Sequence, residues 1–571
     1  MHTIVKYIIL HVLFGCARAW KGHTYYNNRY GVDGISYTAD DSDHGLYSDT
    51  DGYLPDSPYT SEVHSGCSYD KTAGLITSCS GNSVVLANLP IPNITAGTFS
   101  ESTTSIQIWN CGSFTLFEDR TFENLTQLNY LKVQGTSLNH IPDLSNTAIV
   151  TLNIAGNKVS IDTNTHQGWQ FPTTIERIAL MDNLIYWIPD NMISGPNLRI
   201  VSFGNNRLTQ IQQKIFGDTS ALVYLGMDGN SIERISKNSI APLATNNFLH
   251  LNLSNNQLSY IQGGSFSQFP TLKILELHQN SLSTINVNIF KDLPALVHLD
   301  LHANNIQHLT SKAIENIPLL KELRLHSQNT PLESIAYNAW SGIDNLIELF
   351  VGSNNLATFP HQVLSESTYP NLVKMHADNN LITNITKYGE EAFPENQYSL
   401  HRQRLTTFVP FTAIPATQYL YLHGNLITTI NTTDLCELQS LQELYLQNNL
   451  LRESKMDVDC FACLPVLYRL QLAANLIQYV PDCVKSSDVL PFIGVLILNN
   501  NKITFLESGA FTNLTTVTHL YITYNNILAI ENDVFPTNVF HLYINNNNIA
   551  QLKKNFFEDA PLEGNFSARK Q

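Results

Sequence analysis

The stretch that decides the fold is LKILELHQNSL at residues 272–282, in which apolar residues and an asparagine follow the pattern LxxLxLxxNxL. The same pattern stands at residues 222–232 as LVYLGMDGNSI and at residues 441–451 as LQELYLQNNLL. An asparagine in this frame returns every 21 to 26 residues along most of the chain. Such a period is typical of a solenoid, in which no repeat buries its own apolar face and neighbouring repeats share one core. The leucines are therefore expected on short, stacked β-strands.

The asparagine has a different role from the leucines. Its side-chain amide both donates and accepts hydrogen bonds, so it can satisfy the backbone of the turn that leaves each strand and of the neighbouring coil. We call this place in the repeat the ladder position. Alignment on it gives 19 repeats, with Cys111, Thr136, Asn157, Asn183, Asn206, Asn230, Asn256, Asn280, Asn304, Gln328, Asn354, Asn380, Gln403, Asn425, Asn449, Asn475, Asn501, Asn525 and Asn547. The repeats of Gln328 and Gln403 depart from the pattern, so local irregularity is expected at both.

A phenylalanine follows several ladder residues by about ten positions, at Phe216, Phe266, Phe290, Phe511 and Phe535. Together with LxxLxLxxNxL, this resembles the typical 24-residue class of leucine-rich repeat in extracellular animal proteins, across roughly residues 100 to 560. Toll-type receptor ectodomains and other secreted or adhesion proteins carry such repeats. The resemblance implies an α/β solenoid, a curved horseshoe with a parallel β-sheet on its concave side and an irregular or short-helical convex side. It is specific for fold and says little about function.

The N-terminus predicts secretion. Residues 1–19 read as a signal peptide, with Lys6, an apolar run over residues 7–16 and the small-residue pattern ARA at 17–19. That run is too short to span a bilayer, and no later segment approaches about 18 consecutive apolar residues, so no membrane span is predicted. Seven N-x-[ST] sequons agree with an extracellular location and are candidate glycosylation sites: Asn93, Asn124, Asn252, Asn384, Asn431, Asn513 and Asn565.

Composition and repeats divide the remaining chain. Residues 20–66 hold seven tyrosines and eight acidic residues without apolar periodicity, which predicts a disordered acidic segment. Residues 67–100 are predicted to be an N-terminal cap, 101–560 the leucine-rich repeat domain and 561–571 an incomplete terminal repeat. Since no cysteine follows Cys483, the C-terminal end is expected to lack a cysteine-rich cap. Two alternatives follow: the chain is incomplete or alternatively spliced, or its last coil is covered by a second copy of the chain or by another partner.

Seven cysteines follow the signal peptide, and secretion would place them in an oxidising environment. The segment from Cys67 to Cys79 resembles a reduced N-terminal cap hairpin closed by one disulfide. Cys111 occupies a ladder position, where a small buried thiol can replace asparagine, so it is expected to be free and structural.

The other four cysteines lie close together in the sequence. Cys436 and Cys460 each follow a ladder asparagine by 11 residues. Stacked coils lie about 4.8 Å apart, which is within disulfide reach, so we predict the pairs Cys436–Cys460 and Cys463–Cys483. Zinc binding by Cys460-x-x-Cys463 is the less favoured alternative, because two further ligands at metal spacing are missing.

Positions 3, 5 and 7 of LxxLxLxxN alternate with the buried leucines, so they point away from the core along the concave sheet. Ten of the 17 histidines that follow the signal peptide fall there: His250, His278, His298, His302, His326, His376, His401, His423, His519 and His541. One group of candidate ligand-binding residues comprises His278, His298, Asp300, His302, Glu322 and His326. These side chains could converge on a transition metal, form a pH-responsive contact or be an ordinary polar face. The polar face or a plain ligand contact is favoured, and no metal or other cofactor is predicted. Nearby acids should favour the charged imidazolium.

A second group at these positions is aromatic. Tyr421, Tyr445, Tyr521 and Tyr543 are candidate ligand-binding residues, because exposed aromatic side chains carry many protein interfaces. Tyrosine also pairs well across β-strands, so part of this group could simply stabilise the sheet. The sequon of Asn252 lies at position 5, where a glycan would cover a neighbouring strand.

The function that the sequence favours is recognition without catalysis. A net charge of −16 argues against nucleic acid as a partner. No nucleophile with a base, no paired buried carboxylates and no phosphate loop can be placed on this scaffold, so the chain is not expected to be an enzyme. We expect a secreted protein that binds a protein or glycan ligand on its concave face. The alternatives are an ectodomain fragment of a Toll-like or adhesion receptor, and an extracellular matrix structural protein resembling the small leucine-rich proteoglycans, whose four-cysteine N-terminal cluster this chain lacks.

Overall fold

The computed structural model describes the backbone of residues 62–63 and residues 66–161, 171–358, 371–383, 397–408, 416–485, 487–536 and 539–550. The chain divides into two compact units, Met1–Tyr59 and Thr60–Gln571, and all described residues belong to the second. The predicted signal peptide, nearly all of the acidic segment, the terminal repeat and the sequons of Asn384 and Asn565 lie outside the described residues.

One 21-stranded sheet runs along the second unit. The first strand pairs antiparallel with the second, and each later strand pairs parallel with the one before it. The strands are Glu62–Val63, Ser83–Ala87, Ser105–Trp109, Tyr130–Gln134, Thr151–Asn153, Arg177–Ala179, Ile200–Ser202, Tyr224–Gly226, His250–Asn252, Ile274–Glu276, His298–Asp300, Glu322–Arg324, Glu348–Phe350, Lys374–His376, Gln397–Ser399, Tyr419–Tyr421, Glu443–Tyr445, Arg469–Gln471, Val495–Ile497, His519–Tyr521 and His541–Tyr543. Each of the 19 predicted repeats contributes one strand, so the predicted leucine-rich repeat solenoid is confirmed.

The side of the solenoid opposite the sheet is built from turns, short strand pairs and single helical turns. The short parallel strands are Asn93–Ile94 with Leu116–Phe117, Arg234–Ile235 with Tyr260–Ile261, Phe290–Lys291 with Ile314–Glu315 and Trp340–Ser341, His308–Leu309 with Ser334–Ile335, and Phe505–Leu506 with Ala529–Ile530. The helical turns are Gln213–Ile215, Lys237–Ile240, Ala241–Leu243, Glu453–Lys455 and Asp482–Val484. Each of these elements is short, four residues at most, because the coil must return the chain to the next strand.

The core lies between these two sides and is continuous along the stack. Leu275 and Leu277 are fully buried, and Leu275 pairs in register with Leu251 and Leu299 on the neighbouring strands. The leucines of neighbouring repeats therefore lie directly beside one another in the core. Apolar surface that one repeat leaves open is covered by the next, which is how short strands gain a stable core.

The ladder asparagines make the hydrogen bonds that the sequence predicts. Asn280 Nδ2 donates to the carbonyl of Leu277 in its own repeat at 3.0 Å and to that of Leu253 in the preceding repeat at 2.9 Å. Its Oδ1 accepts from the backbone N–H of Leu258 at 2.9 Å. One buried amide thus joins two repeats and satisfies backbone groups that the sheet leaves unpaired.

Three unusual ladder residues make equivalent contacts. Gln328 donates to the carbonyl of Leu301 at 2.9 Å, and Gln403 donates to that of Ala377 at 2.6 Å. Their strands pair in register, so the sheet is regular at these repeats. The turn after Gln328 is irregular as expected, because Asn354 accepts from the N–H of Leu332, four residues after the ladder position, at 3.0 Å instead of from the residue two places after it. Cys111 is free and fully buried, its Sγ accepts from the N–H of Leu89 at 3.4 Å, and burial raises the pKa of its thiol.

The N-terminal hairpin forms as the resemblance implied. Strands Cys67–Asp70 and Leu75–Cys79 pair antiparallel, and a disulfide joins Cys67 to Cys79 with their Cα atoms 4.0 Å apart. The backbone of Cys79 also pairs with that of Phe99 in an isolated parallel β-bridge, so the hairpin is attached to the first coil of the solenoid.

The predicted pairing of the other cysteines is wrong, because the disulfides are Cys436–Cys463 and Cys460–Cys483. The prediction assumed that neighbouring coils align residue for residue. The coil that follows Asn449 contains the helical turn Glu453–Lys455 and is longer than the coil before it. Ile430 therefore forms its β-bridge with Met456, which lies 26 residues later rather than 24. This shift brings Cys463 beside Cys436.

Candidate ligand-binding face

The outward face is the sheet surface opposite the core, formed by positions 3, 5 and 7 of each repeat. On the strand Glu322–Arg324, Leu323 is fully buried while Glu322 and Arg324 are partly exposed, as the alternation of a β-strand requires. All ten candidate residues lie on strands of this sheet or within two residues of one. They form two groups that are separated along the stack.

The histidine segment comprises His278, His298, Asp300, His302, Glu322 and His326. The rings of His278 and His302 stack with their centroids 4.5 Å apart and their planes within 10°. The ring of His326 continues the stack at 4.5 Å and 8°. This regular stacking follows from the parallel register, because the three histidines share one position on consecutive strands.

Asp300 lies at the centre of the histidine segment and is 3% exposed. Its Oδ1 is 2.7 Å from His302 Nδ1 and also accepts the backbone N–H of His302 at 3.0 Å. Its Oδ2 lies 3.6 Å from His278 Nδ1 and 3.8 Å from Arg324 Nη1. Burial alone would raise the pKa of Asp300, but the hydrogen bonds from His302 and the charges of His302 and His278 outweigh it and lower the pKa to about 2.

Nearby acids do favour the charged imidazolium, as predicted, but burial outweighs them at two of these histidines. Burial is the largest influence on both rings, and it lowers the pKa of His278 and lowers that of His326 to about 4. Asp300 acts in the opposite direction on both but is the weaker influence. Burial therefore favours the neutral form of both rings. His298 is different in its contacts, since its Nδ1 lies 2.9 Å from Glu322 Oε2.

The tyrosine segment comprises Tyr421, Tyr445, Tyr521 and Tyr543. Tyr421 stacks on Tyr445 at 4.5 Å, and Tyr521 stacks on Tyr543 at 4.4 Å. The two pairs do not form one stripe, because two strands lie between them and carry Gln471 and Ile497 at the same position. Burial first, and then the hydrogen bond that its hydroxyl donates to Glu443, raises the pKa of Tyr445.

Two further pairs of stacked rings lie on the outward face, and the sequence analysis did not name them as candidate ligand-binding residues. Phe350 stacks on His376 at 4.3 Å, and His401 stacks on His423 at 4.1 Å. Burial, followed by the charges of His401 and Arg402, lowers the pKa of His423 to about 4. The signal was present in the sequence, because Phe350 and His376 share position 5 on neighbouring strands.

Asp228 is a second residue that the sequence reading missed. Burial is the largest influence on it, and together with the charge of Glu276 raises its pKa to about 6. Gly204 occupies position 7 on the neighbouring strand, and a Cβ there would lie 2.9 Å from Asp228 Oδ2. The sequence signal that could have identified Asp228 is the small residue, Gly204, at position 7 of the neighbouring repeat.

The sequons differ in their surroundings. Asn252 lies on the outward face, partly buried, and its Oδ1 accepts from the N–H of Ser254 at 3.0 Å. Asn93 is also partly buried and donates to Glu118 at 2.7 Å. The exposed sequon asparagines are Asn124, Asn431 and Asn513.

Family models match the repeats directly. The leucine rich repeat model matches residues 270–330, 400–451 and 493–549, and the BspA type leucine rich repeat region, of six copies, matches residues 169–297. These ranges cover many of the repeats that were aligned on the ladder position.

Curated relatives are extracellular proteins of the small leucine-rich proteoglycan group. Podocan of Mus musculus is 24% identical over 411 residues, which cover 72% of this chain and 57% of podocan. Keratocan of Coturnix japonica is 24% identical over 46% of this chain and 66% of keratocan. Epiphycan of Mus musculus is 34% identical over 19% of this chain and 33% of epiphycan. The chain thus spans less than two thirds of the length of these relatives.

Solved structures share the fold. The Toll–Spatzle complex of Drosophila has a TM-score of 0.53 at 19% identity, covering 80% of this chain and 57% of that one. A leucine-rich repeat protein of Leptospira interrogans has a TM-score of 0.51 at 20% identity, covering 78% and 98%. No helix among the described residues is long and apolar enough to cross a membrane.

Proposed function

We propose that this chain, which is a leucine-rich repeat protein, is a secreted and non-enzymatic recognition protein that binds a protein ligand on its outward face. Three observations support secretion: the signal-peptide pattern, the three disulfides and the extracellular relatives. The ligand's chemistry is argued from the outward face itself.

The observation that carries the proposal is the row of stacked rings on the outward face. Tyr421 and Tyr445, like the three histidines of the histidine segment, are packed against each other in the free protein. Side chains that are already ordered lose little conformational entropy when a ligand lies on them. Tyrosine is also among the residues that contribute most to protein interfaces. A partly exposed, pre-ordered aromatic surface therefore suits a protein partner.

One set of contacts contains the serine, histidine and aspartate of a hydrolytic triad. Its geometry does not suit catalysis. Ser399 Oγ lies 2.9 Å from His401 Nδ1, and His401 Nε2 lies 3.5 Å from Asp378 Oδ2. Ser399 is only 7% exposed, and the N–H of the next residue, Leu400, already donates to the carbonyl of Tyr421 at 2.8 Å. A nucleophilic serine needs access to its substrate and free N–H donors for the oxyanion. Ser399 is almost buried and the adjacent N–H is already engaged, so these contacts favour an ordering role on the sheet surface over catalysis.

A structural role in the extracellular matrix is the second candidate, and the relatives favour it. The match to podocan extends over 411 residues, 72% of this chain, and so includes many consecutive repeats. On this reading the ligand is a matrix protein, so the two candidates differ in the partner and not in the surface.

The test is a binding screen with the secreted chain, residues 20–571, made multivalent and applied to arrays of extracellular proteins, matrix proteins and glycans. We expect at least one protein to bind, and the variant Tyr421→Ser, Tyr445→Ser to lose roughly tenfold or more in affinity. The matched control is Tyr337→Ser, Tyr479→Ser, which removes two exposed tyrosines outside the sheet.

Thermal unfolding of both variants shows whether lost binding reflects lost folding. Equal loss of binding in both variants, with unchanged folding, would contradict the outward face as the site. Binding to glycans alone would contradict a protein ligand.

A further inference from the structure

The histidine segment contains three side chains from two neighbouring strands whose potential ligand atoms converge. One ligand atom from each of His278, Asp300 and His302 lies within 4.8 Å of the other two. The geometry points to a binding site for a transition-metal ion of the zinc type at these three residues. This inference is independent of the proposed ligand, because the site is built from the chain's own side chains.

Both imidazoles face one carboxylate. His302 Nδ1 is 2.7 Å from Asp300 Oδ1, and His278 Nδ1 is 3.6 Å from Asp300 Oδ2. Zinc binds histidine nitrogen at about 2.0–2.1 Å and carboxylate oxygen at about 2.0–2.2 Å, so its ligand atoms lie roughly 3.3 Å apart. The two nitrogen–oxygen distances, 2.7 Å and 3.6 Å, each lie within about 1 Å of that spacing.

His278 carries the feature that a purely structural role leaves unexplained. Its Nδ1 is buried and makes no hydrogen bond with any described residue, since the 3.6 Å to Asp300 is too long for one. A buried polar atom without a partner costs free energy. A metal ion at this point would give the Nδ1 of His278 the partner that it lacks.

The carboxylate is held in place by a contact that a metal would leave intact. Asp300 Oδ1 accepts the backbone N–H of His302 at 3.0 Å, which fixes the orientation of the side chain. Such hydrogen bonds to a ligating carboxylate are common around protein metal sites and contribute to their affinity.

The donor set determines which ions fit. Two imidazole nitrogens and one carboxylate oxygen suit Zn²⁺ and other first-row transition metals, whereas Ca²⁺ and Mg²⁺ prefer oxygen ligands alone. Arg324 opposes any cation here, because its Nη1 lies 3.8 Å from Asp300 Oδ2. Its Nε is held by Glu322 Oε1 at 2.5 Å, so the guanidinium stays close to the site.

The sequence alone did not favour this reading, because a histidine at an outward position is most often an ordinary polar residue. The shared carboxylate and the unpartnered Nδ1 of His278 become visible only once the strands are placed side by side.

The experiment uses the full secreted chain without a histidine tag, stripped with a chelator, and titrates it with Zn²⁺ alone by calorimetry. We expect saturable Zn²⁺ binding at one site that Ca²⁺ does not compete for, with His302→Ala and His278→Ala each weakening it by roughly tenfold or more. Arg324→Gln should strengthen binding several-fold, which a structural role for the cluster would not cause. Co²⁺ in place of Zn²⁺ should give visible absorption bands that His302→Ala abolishes.

His519→Ala is the matched control, because His519 also stacks on a histidine, His541, at 4.5 Å, while no acid in the part of the chain that the structure describes forms an ion pair with its ring. This variant should bind Zn²⁺ like the wild type. The inference is overturned if the wild type does not bind Zn²⁺ more tightly than His302→Ala, if His519→Ala weakens binding equally, or if Ca²⁺ competes. Failure of the ligand screen would leave this result unaffected, so the two proposals are tested separately.

Discussion

The histidine segment and the tyrosine segment occupy the same positions of the same repeat, yet their side chains lie in different electrostatic surroundings. Both are stacked at about 4.5 Å, as the parallel strands dictate. The histidine segment encloses a carboxylate, Asp300, that is almost completely buried, whereas the tyrosine segment has phenol rings whose nearest acid, Glu443, accepts a hydrogen bond from Tyr445. The repeat therefore fixes the spacing and order of the side chains, and the two segments differ in the charge that they contain.

The largest effect is expected where the two segments are alike, in the shared core. Leu277→Asp would bury an unpaired carboxylate and should cost about 5 kcal/mol or more, so that no folded protein is secreted. Ile274→Asp is the control, because Ile274 is partly exposed at position 3 of the same repeat. Secretion and circular dichroism of the two variants are compared with wild type. Normal secretion of Leu277→Asp would show that the register of the repeat is wrong.

Loss of a ladder asparagine should be the next largest effect and should also be independent of the segment. Asn280→Ala leaves the carbonyls of Leu253 and Leu277 and the N–H of Leu258 without their partner, at a cost of about 3 kcal/mol. Urea unfolding measures the loss, with the exposed Ser281→Ala as the control. Equal midpoints for the two variants would contradict a stabilising ladder.

Covalent links distinguish the tyrosine segment from the histidine segment. Cys436–Cys463 and Cys460–Cys483 lie in the coils of the repeats that carry Tyr421, Tyr445 and their successor. Replacing Cys436 and Cys463 together by serine should cost about 2 kcal/mol. Non-reducing peptide mapping of the wild type checks the pairing, and detection of Cys436 linked to Cys460 would contradict it. Zn²⁺ binding at the histidine segment should be unchanged in this variant.

A smaller, pH-dependent effect is expected from His423, which lies beside the tyrosine segment and away from Asp300. Its pKa is about 4 in the folded protein against 6.5 for the ordinary side chain. As pH falls from about 6.5 to about 4, the unfolded state takes up the proton first, so the folded state loses stability through this window and not below it. His423→Gln should remove that part of the loss. Asp228 contributes with the opposite sign, because its pKa is raised from 3.8 to about 6.

The difference between wild type and His423→Gln cancels the contribution of Asp228, since both proteins share it. Urea midpoints measured between pH 7.5 and 4.5 for the two proteins supply this difference. Parallel curves would show that His423 has an ordinary pKa in the folded protein.

The fold could be predicted from the sequence because one pattern repeats with its ladder residue in place, and even Gln328 and Gln403 keep their hydrogen bonds. The pairing of the last four cysteines could not be predicted, because it depends on the longer coil that contains the helical turn Glu453–Lys455 and shifts one coil against the next. The outward positions were also predictable, since strand alternation decides them.

The charge states of the outward residues were not predictable. The sequence places Asp300 near His278, but it does not show how deeply the pair is buried, and burial outweighs the carboxylate in setting the pKa of His278. Depth within a surface depends on how neighbouring side chains stack, which requires the structure.

The measurement that tests the central claim most directly is covalent footprinting of the outward face, with and without the strongest protein ligand from the binding screen. Tyrosine and histidine modification is followed by peptide mass spectrometry in both states. The ligand should protect Tyr421 and Tyr445 or the histidine segment, while Tyr337 and Tyr479, which are exposed outside the sheet, should react equally in both states. Protection of Tyr337 or Tyr479 with full reactivity across the outward face would contradict the account.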